Sequence, residues 1–198
     1  TIPKTVNSVA AISPFSNNIG RGVENALLMR LDIAVKGNLG TLVFDSLYID
    51  YVGTTSNDIK TNGIRLYRTA DSVFVNQVLV AQGSFTGSSA LLTFSNTLEP
   101  GMTFYWIALD IKPTAGVDNT VKVRIPAQGV RISGKKYPAS SLEVAGNRKI
   151  VHTIFYDSFE TNKGWTLFGD FEMAAPQGKG GSRGNADPAV AYSGTKVL

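Results

Sequence analysis

The chain has 198 residues, 43% hydrophobic and 17% charged, with a net charge of +4 and a pI near 9.3. That apolar content suffices to bury a core and excludes global disorder; the absence of cysteine excludes disulfide scaffolds, thiolate zinc sites and thiol catalysis. The basic residues are scattered, several of them alternating with apolar ones, so the positive balance reads as solvated sheet rather than a phosphate-binding patch, and no nucleic-acid partner is expected.

Residues 1–12 lack a clear period and read as a lead-in strand or arm. From Leu27 the pattern is sheet-like: Arg30 and Asp32 alternate with Leu31, Ile33 and Val35, a period of two that fits a half-buried strand. Gly37-Asn38-Leu39-Gly40 is a turn. The next run, 41–52, places Asp45, Leu47, Ile49 and Tyr51 on one face and Phe44, Ser46, Tyr48 and Asp50 on the other. Asn62-Gly63 is a hairpin signal. Further strands are predicted over 64–69, 73–80, 90–94 and 102–111, the last apolar on both faces and therefore central. Glu99-Pro100-Gly101 and Lys112-Pro113 punctuate that run, and short strands follow over 120–125, 129–132 and 142–144. No amphipathic helix of ten residues is visible. The pattern predicts an all-β protein, an antiparallel, jelly-roll-like β-sandwich, followed by a partial second sandwich.

A composition shift after Asn147-Arg148-Lys149 divides the chain into a sandwich domain, 1–150, and a Gly-, Asp- and Pro-rich remainder, 151–198, that opens with a strand over 152–159. Fewer than fifty residues cannot bury an independent core, and the chain stops at Lys196-Val197-Leu198 inside a strand-like run, so the second domain is expected to be truncated. No apolar run reaches the ~18–20 residues that span a bilayer. A start at Thr1 without a signal peptide reads as a mature or trimmed chain.

Two stretches carry a family likeness. Asn96 to Ile111, with Leu98, Gly101, Tyr105-Trp106 and Asp110-Ile111, then Ala115-Gly116, resembles a signature of the N-terminal domain associated with bacterial-neuraminidase-repeat sialidases. Upstream, Gly53-Thr54-Thr55-Ser56-Asn57-Asp58-Ile59 and Arg65-Leu66-Tyr67 match a further segment, and the likeness covers about residues 20–150; Phe104 stands where asparagine is commoner. The tail, with Phe155-Tyr156-Asp157-Ser158-Phe159-Glu160, Gly164-Trp165 and the run from Asp187 to Leu198, resembles the opening of the cleaved-adhesin or anchor-type jelly-roll modules of secreted Bacteroidetes proteins. Together these imply a multidomain exported protein, extracellular or at the cell surface, whose parent activity is that of a sialidase or a peptidase. A fold-level likeness does not confer that activity on this chain.

Catalysis within the chain is not expected. No Asp-box repeats are visible, and the single histidine, His152, lies in a strand-like context where a structural role outweighs that of a general base. One imidazole cannot build a zinc site. Calcium is the most credible ligand, because a hard cation takes several loop oxygens and the tail concentrates Asp157, Glu160, Asp170, Glu172 and Asp187; Glu160, Asp157 and Asp187 are the candidate metal ligands, the adhesin-type resemblance placing calcium near Phe159-Glu160. Trp165, Tyr192 and Tyr137 lie in polar or glycine-rich contexts and are the candidate sugar-stacking residues. The leading reading is an accessory or adhesion module binding a glycan or a host or cell-surface protein and contacting other domains of its parent. The alternatives are an accessory fragment of a secreted hydrolase with its active site elsewhere, and a structural spacer.

Overall fold

Short runs of alternating apolar residues, separated by glycine- and asparagine-rich turns, fold into strands that each bury one face. The computed structural model describes residues 1–152, 159–162, 164–168, 172–179, 188–191 and 195–197. The chain divides into two units, Thr1–Thr153 and Ile154–Leu198. In the first, the strands are β1 (Thr5–Ile12), β2 (Ile19–Gly20), β3 (Ala26–Lys36), β4 (Leu42–Tyr51), β5 (Ile59–Thr69), β6 (Val78–Gly83), β7 (Ser89–Leu98), β8 (Gly101–Ile111), β9 (Thr120–Val121), β10 (Val123–Ile125), β11 (Val130–Ile132), β12 (Lys135–Tyr137), β13 (Leu142–Glu143) and β14 (Arg148–Val151). A single 3-10 turn, Ser56–Asp58, is the only helical element among the described residues, and none of them forms a helix long and apolar enough to cross a membrane.

The architecture is all-β. One five-stranded antiparallel sheet runs β1-β3-β8-β5-β6. A second, six-stranded sheet centres on β4, which pairs with β7 on one side and with β11 and β10 on the other; β12 and β13 extend it. A small sheet, β2-β14-β9, pairs β2 with β14 in parallel. The main core draws from both large sheets: Leu31, Ile33, Ile64, Leu66, Tyr105, Ile107 and Leu109 from the first, and Phe44, Leu47, Ile49, Leu92, Val123 and Val130 from the second. Phe44 meets Phe94 and Tyr105 edge-on at 4.7 and 5.0 Å between ring centroids, the favourable T-shaped arrangement.

Three sequence expectations change. Asn62-Gly63 does not turn a hairpin; it lies within β5 at a bulge between Ile59 and Ile64, with Asn62 at φ 53° and its N–H donated to Ser84 Oγ. Asparagine's tolerance of the left-handed region serves a bulge as well as a turn. The strand expected from residue 73 begins at Val78, because residues 70–77 form a strap over the outer face of the first sheet, Phe74 packing on Trp106 and Ser72 O accepting from Arg30. Strict alternation in β4 also fails: a bulge between Phe44 and Ser46 puts Phe44 in the core with Leu47, Ile49 and Tyr51. As expected, β8 is central and covered on both faces. Trp106 is buried, but on the outer side, where Phe74 of the strap packs edge-on to it and to Tyr67.

In the second unit the described residues include one antiparallel bridge, Ala174 with Val197. The strand expected over 152–159 falls almost wholly outside the described residues.

Candidate functional site

The most distinctive sequence segments meet at one end of the first unit. Where the chain leaves β4 it passes against β9: Thr54 donates its N–H to Thr120 O at 2.9 Å and its Oγ1 accepts from Thr120 N at 2.8 Å. A Cβ on Gly53 would lie 2.2 Å from the Thr120 carbonyl oxygen, so only glycine allows this approach. Thr55 then caps the 3-10 turn by accepting from Asn57 N. Asp58, 5% exposed, accepts from Gly116 N at 2.9 Å and Asn119 Nδ2 at 2.8 Å, tying the turn to the loop after β8. Burial, with the Asp58 charge added, pushes the Tyr51 phenol up, so it stays neutral and donates to Thr120 O.

A second network covers the outer face of the first sheet. Asp110, 2% exposed, accepts from Arg65 Nη2 at 2.7 Å, Arg65 Nε at 3.0 Å and Asn25 N at 2.8 Å. The Tyr67 hydroxyl donates to Asn25 Oδ1. Hydrogen bonding to Asp110 holds the Arg65 guanidinium above its ordinary range. One row away, Arg30 binds Asp32 through both Nε and Nη2, lies over the rings of Phe104 and Trp106, and donates to Ser72 O in the strap. Trp106 Nε1 donates to Thr69 Oγ1, which donates to Asp71 O. The conspicuous carboxylates of the signature therefore have their acceptor positions turned to donors of the fold itself.

The outer face of the six-stranded sheet is built differently. Cross-strand pairing lines up Glu143, Arg124, Asp50 and Ser89 in one row and Lys136, Arg131, Ser46 and Thr93 in another. Tyr48 stands between the rows on β4. Arg124 pairs with Asp50 at 2.9 Å and Glu143 at 3.7 Å, whereas Arg131 stacks over the Tyr48 ring at 4.8 Å from its centroid. The sequence puts Tyr48 on a mixed face with Phe44, Ser46 and Asp50, but Val130-Arg131-Ile132 shows only an alternation; that β11 lies beside β4, which brings the two together, is not encoded in spacing along one strand. The first unit also has a pocket of about 50 Å³ lined by Phe15, Leu28, Lys122, Val144 and Arg148 among others, room for a water or two but not for a sugar ring.

Of the residues singled out in the sequence, Asp157, Asp187 and Tyr192 lie outside the described residues. Tyr137 pairs with Val130 and packs against the main core. Trp165 is 38% exposed, with its backbone N–H and that of Gly164 both donated to Asn162 Oδ1 and its ring 6.5 Å from that of Phe159. Glu160 accepts from Thr195 N, Thr195 Oγ1 and Lys196 N, each at 2.7 Å. Three of its roughly four lone-pair sites are thereby engaged. Among the described residues no three His, Cys, Asp or Glu side chains stand close enough together to hold a metal. His152 is exposed, directly after β14.

Those donors, the Thr195 hydroxyl first, hold the Glu160 carboxyl below its ordinary range. The folded unit thus favours the ionised form, and the contact is fully present above the unfolded value of about 4.3. As pH falls below that and through the lowered folded value, the contact is lost. Amide exchange at Thr195 and Lys196, taken relative to its intrinsic rate at each pH, is expected to accelerate across that acid range in the native chain. In Glu160→Gln it is expected to be faster than native at pH 7 and to lose this acid transition; an unchanged profile would refute the assignment.

No family model matches the sequence, and no curated protein matches it. Among solved structures the fold is similar to that of a sialidase, Hadza microbial sialidase Hz136, with a TM-score of 0.50 and 16% identity over 69% of this chain. The match spans 31% of that chain, well under half of its length. A DUF4466 family protein from Parabacteroides merdae matches at a TM-score of 0.33 and 14% identity, over 68% of this chain and 44% of the other.

Proposed function

We propose that the chain is a non-catalytic accessory module of a secreted or cell-surface bacterial protein, positioning a catalytic or binding domain and contacting a glycan or a surface protein. One observation carries this reading: Asp58 and Asp110, the buried carboxylates of the signature segments, are committed to backbone and guanidinium donors that hold the fold. Most glycoside hydrolysis needs two carboxyl groups open to substrate, roughly 5–10 Å apart, and a sialidase needs an open acidic partner beside a tyrosine nucleophile; carboxylates engaged in this way serve architecture instead. The likeness to part of a sialidase supports a place beside such an enzyme domain, with the parent's sialidase or peptidase chemistry outside these residues.

The test is turnover by the purified chain alone, on a fluorogenic sialoside and on a labelled protein substrate. No turnover above buffer is expected on either. Hydrolysis that survives repurification and disappears on substitution of one acidic residue would make the chain an enzyme and overturn the reading.

A further inference from the structure

The two arginines on the outer face of the six-stranded sheet are unequally provided for. Arg124 has Asp50 and Glu143. Arg131, in the neighbouring row, has no ion pair and no side-chain hydrogen bond among the described residues, and its Nε is enclosed without an acceptor. Arg124 Nε is also without an acceptor, but its terminal nitrogens are neutralised. A guanidinium N–H removed from water and left unpaired is destabilising. So is the placement of Lys136 directly opposite Arg131 on β12, since like charges across an antiparallel pair repel. Asp45, beside Ser46 in β4, takes that hydroxyl at 2.9 Å rather than pairing with Arg131. The Tyr48 ring holds the guanidinium carbon over its face, 4.8 Å from the centroid. The result is a cross-strand pair of cations lacking an anion among the described residues.

We propose that Arg131, with Lys136, Tyr48 and Thr93, is a recognition site for a carboxylate-bearing saccharide. This deepens the accessory-module reading and rests on it. A carboxylate matches the planar fork of a guanidinium, meeting its two terminal nitrogens together, and removes the Lys136–Arg131 repulsion. A saccharide fits better than an acidic peptide because β4 is hydrogen-bonded on both sides, to β7 and to β11 and β10. β11, which carries Arg131, is likewise paired on both sides, so neither strand at the centre of the site has a free edge to receive a peptide strand; the edge strands of the sheet are β7, β12 and β13. Recognition falls to side chains: a guanidinium, an ammonium, the phenol and the exposed Thr93 hydroxyl, a donor set suited to a hydroxylated ring carrying one carboxylate.

The experiment is a calorimetric titration of the whole chain with 3′-sialyllactose, a hyaluronan tetrasaccharide, lactose and a hexaglutamate peptide. At least one of the two acidic saccharides is expected to bind saturably, with lactose about tenfold or more weaker. Arg131→Gln should weaken that binding about tenfold or more, and Lys136→Gln should weaken it too, which keeps the test decisive if Arg131→Gln folds poorly. Lys36→Gln, an equal charge change on the other sheet, should leave it unaltered. Binding unchanged in Arg131→Gln and Lys136→Gln, tighter binding of hexaglutamate than of either acidic saccharide, or no binding by any probe would each overturn the proposal. None of these would touch the accessory-module reading, which turnover by the chain alone would sink.

Discussion

Replacing Asp110 with alanine is expected to destabilise the first unit by about 3 kcal/mol, among the largest effects of any polar substitution in it. Truncating one partner of a buried pair leaves the other charge uncompensated, at about 3–5 kcal/mol. Arg65 retains 29% side-chain exposure, so water recovers part of that and the lower end applies. The Asn25 N–H loses its acceptor as well. Chemical denaturation should show the loss as a lower midpoint with an unchanged slope. Asp110→Asn keeps an acceptor for Asn25 and should fall between native and alanine. The double variant Arg65→Met/Asp110→Ala should be less destabilised than Asp110→Ala alone, because it leaves no unpaired charge. If Asp110→Ala unfolds within about 1 kcal/mol of native, the carboxylate is not the keystone of this network.

What the sequence disclosed follows from the range of each signal. Alternation is local, so Arg30 and Asp32 against Leu31, Ile33 and Val35 reads correctly from spacing alone, as does β8 with apolar residues on both faces. A bulge is set by the partner strand, so the single-residue shift at Phe44/Ser46 was invisible along β4, and Asn62-Gly63 carried turn chemistry that the fold uses inside a strand. The strap misread as strand, Val73-Phe74-Val75, alternates like one; what it covers is an outer aromatic face assembled from β3, β5 and β8, which no single window contains. The resemblance located Gly53, Asp58, Asp110 and Gly116 without saying what they do. Their partners lie 45 to 85 positions away in the cases of Arg65 and Asn25, and 58 and 61 in the cases of Gly116 and Asn119. Arg131 is the opposite case: its alternation is plain, and what marks it is a missing partner, a property of the assembled sheet alone.

The same long-range logic makes Gly53→Ala the other large effect expected, a loss of about 3 kcal/mol from a single methyl group. Gly53 sits where the chain leaves β4 and passes against β9, with Val52 N on Lys122 O and Thr54 N on Thr120 O. The added Cβ would lie 2.2 Å from the Thr120 carbonyl oxygen and 2.6 Å from the Tyr51 hydroxyl, far inside contact. The nearest obstacle is backbone, so no rotamer change relieves it; either the Thr54–Thr120 hydrogen bonds lengthen or the Asp58 turn shifts away from Gly116 and Asn119. Overpacking of this kind carries about 1–3 kcal/mol, and the upper end is expected because it also loosens hydrogen bonds to Thr120. For a unit of this size that corresponds to a fall in Tm of roughly 6–12 °C. Gly87→Ala is the matched control: an added Cβ there meets nothing within 4 Å, although its φ of +64° adds backbone strain. Gly53→Ala should therefore fall clearly below Gly87→Ala in Tm, with Thr54 and Gly116 the amides whose exchange accelerates most. Equal midpoints for the two variants would mean that the β4–β9 approach relaxes freely and that the signature glycine is not kept for sterics.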